Sequence, residues 1–190
     1  MFILYAIVAG LVVGVVLGGR PSALADLHFR WAPLIVLGFL AQVLLFSDAV
    51  ASRVGDLGPV LYVATTLMVV VAVLRNTDLP GIWLVVLGAA CNMAAIASNG
   101  GYMPATPEAL ASIGKTAPTI YSNSAVVASP NLPWLIDRFA LPHGLPFANV
   151  FSVGDVLLAI GVFVLLVVVM RRGRRPAATA PSVPSSVEPA

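Results

Sequence analysis

The sequence predicts an all-α fold, a polytopic membrane bundle of five transmembrane helices with its N-terminus outside, its C-terminus inside and a long proline-rich outer loop. Three observations lead there. The 190 residues are 59% hydrophobic and 9% charged, more apolar surface than a soluble domain of this size can cover. Five runs reach the roughly 17 to 20 apolar residues that a spanning helix needs: 2–18, 31–51, 58–74, 79–97 and 150–170. The last of them ends on Arg171, Arg172, Arg174 and Arg175, the mark of a cytoplasmic membrane boundary.

The first run, 2–18, reads as an uncleaved span. Ala23, Leu24 and Ala25 have the small-x-small form of a signal-peptide cleavage site, but residues 1–5 carry no cation and Arg20 follows the run, the charge order of an N-out anchor. Ala6, Gly10, Gly14 and Gly18 recur every four residues. Such spacing lets helix backbones approach closely, either inside the bundle or at a homo-oligomer or membrane-protein partner. The second run, 31–51, is interrupted by Gln42 and Asp48. Pro33, Pro59 and Pro80 stand near the entries of spans two, three and four, where a missing N–H costs nothing. Short links make antiparallel neighbours of the first spans.

Five crossings place Arg20, Arg30, Arg75 and the Arg171–Arg175 cluster inside, and Arg53, Lys115 and Arg138 outside. The positive-inside bias agrees. Because the cations sit beside membrane ends, the +2 formal charge is no nucleic-acid footprint. The lone Cys91 excludes an internal disulfide and a cysteine metal site. His28 and His143 fall on opposite sides, so no metal site is expected, and no cofactor motif is present.

Residues 98–149 carry Pro104, Pro107, Pro118, Pro130, Pro133, Pro142 and Pro146. The segment is too polar and proline-rich to span, so it lies outside or folds back partly into the outer leaflet. Tyr102, Ile120, Tyr121, Trp134, Leu135, Phe139 and Phe147 predict a structured loop rather than simple disorder. Residues 133–139 predict a short interfacial helix with Trp134 at headgroup level. Residues 1–172 thus form one membrane domain, and 173–190, rich in Pro, Ala and Ser, a disordered cytoplasmic tail.

Polar groups within spans carry a default functional hypothesis. By a rise of ~1.5 Å per residue, Asn92 and Asp155 both lie about 8 Å below the outer surface. With Gln42, Asp48 and Asn99 they are candidates for an outward-facing polar pocket. The bland alternative is hydrogen bonding to neighbouring helices. Asp155 has a further structural role open to it, since Ser152 and Asp155 have capping-box spacing. Asn99, Gly100 and Gly101 form a helix-stop signal.

Asp137 and Asp155 are two carboxylates at the outer surface, a pair able to share a proton and activate water. Here the chain faintly resembles the lipoprotein signal peptidases. Asn131-Leu132 precedes Ile136-Asp137-Arg138, and Asn149 through Asp155 opens span five. That resemblance implies Asp137 and Asp155 as the catalytic pair. The span count differs from that family's, and two departures in the motifs stand against it as well. Asn149 and Asp155 are six apart rather than three, and Asp137 follows a proline-rich loop instead of a membrane helix. The alternative is an exposed Asp137–Arg138 pair on the interfacial helix.

The turn at 99–104, the proline-rich loop and the segment 149–155 together resemble an uncharacterised bacterial membrane family, domain of unknown function 5317. The resemblance implies a bacterial inner-membrane location and no particular activity. The leading expectation is a non-enzymatic binding or accessory component acting through its outer loop and polar pocket, in contact with lipid and a possible partner. An aspartyl intramembrane hydrolase and a small transporter subunit are the alternatives. Five spans without a repeat weigh against an autonomous transporter.

Overall fold

The structure, a computed structural model, describes residues 2–114 and 124–172. The expected tail at 173–190 and the cation Lys115 lie outside the described residues. Helices dominate: α1 (Phe2–Val16), α2 (Ala32–Leu45), α3 (Asp48–Val54), α4 (Leu57–Leu74), α5 (Ile82–Ser98), α6 (Pro107–Ser112) and α7 (Val153–Arg172), with a 3₁₀ turn at Pro21–Asp26. Among the described residues, three two-residue strands lie in the long loop and a fourth directly follows it. β1 (Met103–Pro104) pairs in parallel with β2 (Ser124–Ala125), and β3 (Phe139–Ala140) pairs antiparallel with β4 (Val150–Phe151).

The helices form a row in the order α1, α7, α5, α4, α2. The principal neighbour of α1 is therefore α7 and not α2, which corrects the expectation from short links. The reason lies in the glycines. A Cβ on Gly10 would stand 3.1 Å from Leu166 Cδ1, and one on Gly14 2.6 Å from Met170 Sδ. The small-residue face of α1 is thus covered by α7 of the same chain. Gly18 takes no part in it. It is exposed, with φ +77°, and it closes the helix. Gly19 N donates to Gly14 O at 2.8 Å and Gly18 N to Val15 O at 2.8 Å, the paired bonds of a Schellman stop.

The predicted second span is not one straight helix. α2 stops at Leu45 and α3 resumes at Asp48 after a bend of 78°. Ser47 takes an extended backbone (φ −71°, ψ 144°), and its Oγ donates to Leu44 O at 2.6 Å. Beside the break, Phe46 packs edge-on against Tyr62 of α4, ring centroids 5.0 Å apart. By length and composition α4 and α7 are each able to cross a membrane, and α2 with α3 makes a third only if the bent pair counts as one span. α1 and α5 are shorter apolar helices.

At the end where α4 finishes, Asn76 ties two elements together. It is 1% exposed. Its Oδ1 accepts from Arg30 N at 2.7 Å, and its Nδ2 donates to Arg30 O and Ala72 O at 3.0 and 2.9 Å. Around it Arg30 pairs with Asp78 at 2.7 Å, and the Arg75 guanidinium lies 4.6 Å from the Trp31 ring centre. Asn76→Ala strands the backbone of Arg30 and leaves a void. A loss of about 2 to 3 kcal/mol is expected, read as a lower denaturation midpoint in detergent.

The loop 133–139 forms no helix. Its backbone is drawn instead into a parallel bridge between Ala105 and Asp137, with Asp137 N donating to Pro104 O at 2.9 Å and Thr106 N to Asp137 O at 3.0 Å. Those bonds satisfy the peptide groups that a helix would otherwise have paired. Thr106 also caps α6, its side chain accepting from Ala109 N at 3.2 Å, with Pro107 in the first turn.

Candidate functional site

The site begins with the seam between α5 and α7. Gly81, the residue that caps the start of α5, and Gly88 within it stand seven apart, and Gly154 and Gly161 stand seven apart on α7. A two-turn interval keeps the α7 pair on one face. A Cβ on Gly88 would lie 2.5 Å from Gly154 O. One on Gly161 would lie 2.7 Å from Gly81 O. The backbones touch, and Asn92 is thereby carried to the first turn of α7.

There Asn92, Ser152 and Asp155 close a network. Asn92 Nδ2 donates to Asp155 Oδ1 at 2.9 Å. Asp155 Oδ2 accepts from Ser152 N at 2.9 Å, and Ser152 Oγ accepts from Asp155 N at 3.1 Å, the reciprocal bonds of a capping box. The single hydroxyl proton of Ser152, a residue 0% exposed, has two acceptors in reach: Asn92 Oδ1 at 2.9 Å and Asp155 Oδ2 at 3.1 Å. Both oxygens of Asp155 are thus fixed by donors, at the positive end of the α7 dipole. Ser152→Ala removes the cap and one arm of the network. Unfolding in detergent should show a loss of about 1 to 2 kcal/mol.

The loop lays a second carboxyl beside this network. β3 and β4 hold it down, with Phe139 stacked on Phe151 and Phe151 on Phe2 of α1 at centroid distances of 5.6 and 4.2 Å. Asp137, two residues before β3, is 6% exposed, so the expected exposed Asp137–Arg138 pair does not form. Arg138 turns away, its guanidinium 5.6 Å from the Trp134 ring centre. Asp137 Oδ1 is buried with no hydrogen-bond partner among the described residues, and the same holds for Asn149 Oδ1. Burial first, and then the negative charge of Asp155, push the Asp137 carboxyl up from 3.8 to about 8. That shift favours the protonated form of Asp137 near neutral pH, with one acceptor oxygen unmet and within electrostatic reach of Asp155, whose own oxygens are engaged.

Of the candidates Gln42, Asp48, Asn92, Asn99 and Asp155, hydrogen bonding joins Asn92 to Asp155, and the others have contacts of their own. Gln42 Nε2 reaches Thr66 Oγ1 at 3.1 Å and Thr65 Oγ1 at 3.4 Å on the α2–α4 seam. Asp48 is exposed at the start of α3. Asn99 pins the loop: its Oδ1 accepts from Asn131 N at 2.8 Å, and its Nδ2 donates to Asn131 O at 3.0 Å. Gly101 N donates to Ile96 O at 2.9 Å, ending α5 where the helix-stop signal stands. Asn92 and Asp155 do meet. Sequence reading missed Asn76 and the glycine seam, and it placed Asn149 in a motif without expecting its unmatched oxygen. The seven-residue recurrence of glycine in two apolar runs was the available signal for the seam. Among the described residues no three His, Cys, Asp or Glu side chains gather to hold a metal ion.

The described residues make a mostly helical protein, with two helices, or three if the bent pair counts as one span, long and apolar enough to cross a membrane. Residues 26–167 match the profile of a family of unknown function, DUF5317. The chain belongs to that family. No curated protein and no solved structure matches the chain. The comparisons do not show the fainter similarity to lipoprotein signal peptidases.

Proposed function

We propose that the chain is an integral protein of the bacterial inner membrane, crossing five times with its N-terminus outside, and that it is a non-enzymatic binding component taking a ligand or partner at its loop end through Asp137 and Asp155. Matched helix ends support the crossings. Phe2 stacks on Phe151 where α1 and α7 meet the loop, and at the other end Arg20 N donates to Met170 O at 2.9 Å. α1 therefore covers the length that α7 covers. Arg20, Arg171 and Arg172 share one end, away from the loop, which supports the orientation.

The binding reading is carried by one observation: Asp137 is buried beside Asp155 with an acceptor oxygen unanswered. A buried carboxyl without a partner costs stability, and such costs are retained at functional positions. A ligand bearing N–H or ammonium donors answers Asp137 and, at Asn149, a second unmatched acceptor. Native mass spectrometry of protein purified in mild detergent tests this. Wild type should carry a bound mass that Asp137→Leu loses while its helical circular dichroism is kept. An unchanged bound set, or none on wild type, contradicts the reading.

Hydrolysis is the second reading, favoured by the same pair: a protonated acid beside an anchored carboxylate is the division of labour that aspartyl chemistry uses. It requires a peptide-cleaving activity in wild type that is abolished in Asp137→Asn.

A further inference from the structure

Large apolar side chains on the loop are held outward by backbone that resists them. Leu132 and Phe147 adopt φ +53° and +57°, the left-handed region that side chains with a Cβ avoid. Leu132 is 44% exposed, Phe147 68%, and Trp134 72%. Strain kept at an exposed apolar residue points to a use for it.

Each tip is fastened to a different helix. Next to Leu132, Asn131 is bonded to Asn99 and, through its Nδ2, to Ser98 O at 2.7 Å at the end of α5. Next to Phe147, Pro146 O accepts from Tyr5 OH at 2.6 Å, in the first turn of α1. α1 and α5 lie on opposite flanks of α7, so the tips hang on opposite flanks. The same two helices carry exposed apolar side chains of their own: Val8 and Val12 on α1, and Trp83 and Leu87 toward the end of α5 away from the loop. Arg138 over the Trp134 ring sets a cation and an amphipathic ring together, the pairing suited to a headgroup layer.

We propose that Leu132–Trp134 and Phe147 insert into the lipid leaflet on the loop side, so that the loop is moored to the bilayer at two points and lipid, not protein, covers them. This rests on the membrane reading above, and the test separates the two. The full chain is reconstituted into phosphatidylcholine vesicles whose acyl chains carry bromine either near the headgroup or at mid-chain. Trp31→Phe with Trp83→Phe leaves Trp134 as the emitter. Adding Trp134→Phe and Phe147→Trp moves the indole to the second tip, and Leu145→Trp replaces it if that variant does not fold. Trp31→Phe with Trp134→Phe leaves Trp83, on the exposed face of α5, to report on the bundle.

Both tip probes should lose more emission to the shallow bromines than to the deep ones. Tip probes unquenched by either lipid but quenched by aqueous acrylamide, with Trp83 quenched by lipid, place the tips in water and overturn the proposal alone. Tip emission indifferent to both lipid and acrylamide, with Trp83 quenched, means that protein, such as a second copy, covers the tips, and overturns it too. An unquenched Trp83 overturns the membrane reading and the proposal with it.

Discussion

Gly154→Ala should lower stability by about 3 kcal/mol, the upper end of what overpacking a close contact costs. The new methyl would fall on Asn92 Oδ1, closer than any non-bonded pair tolerates, and 2.8 Å from Gly88 O. Asn92 cannot turn aside without releasing Ser152 and Asp155, to which it is bonded on both ends of its amide. Gly88 cannot recede without parting α5 from α7. One methyl therefore opens the helix seam and the polar network together. Gly144→Ala is the control, since a Cβ there meets nothing within 4 Å. Denaturant unfolding in detergent micelles measures both. Equal midpoints for Gly154→Ala and wild type would mean that the seam is not packed as described.

The second large effect is on pH dependence. Asp137 titrates near 8 in the folded chain against 3.8 as a free group, so between those values the folded state holds a proton that the unfolded state has released. Stability then falls as pH rises. The contribution of protonated Asp137 is complete below about 4 and is lost as pH climbs through about 8. In between, the slope from this one group approaches about 1.4 kcal/mol per pH unit. Asp137→Asn keeps a neutral group in the same place. It should flatten the profile and exceed wild type in stability on the alkaline side of that window. A wild-type profile that is flat across the window, or parallel to that of Asp137→Asn, would contradict the burial described for Asp137.

The helical character was legible because apolar runs need no partner to be recognised. Four of the five expected spans contain a single helix near the expected bounds. The second did not survive as one, since Ser47 binds the end of α2 through its own hydroxyl, a local competition that composition does not reveal. The order of the row was hidden for a different reason. Gly10 and Gly14 announce a close contact but not its partner, and α7 is more than a hundred residues away in sequence. At the site, the cap of Ser152 and Asp155 was readable from spacing, and Asn92 meets Asp155 because equal depth on packed helices brings them level. Asp137 was the hard case. Its neighbours in sequence, Trp134 and Arg138, look like an amphipathic helix. Only the pairing of the loop with Pro104 and Thr106 turns the carboxyl inward. Long-range backbone pairing of this kind leaves no local trace, and so neither the burial of Asp137 nor the stranded Asn149 was visible.

A buried Asp137 whose carboxyl is pushed up to about 8 should still hold its proton at neutral pH. Infrared difference spectroscopy of the reconstituted protein tests it most directly. The expected result is the carbonyl stretch of a buried, protonated carboxylic acid at neutral pH, fading as pH is raised through about 8 and missing from Asp137→Asn. No such band at neutral pH, or a band that persists in Asp137→Asn, would contradict it.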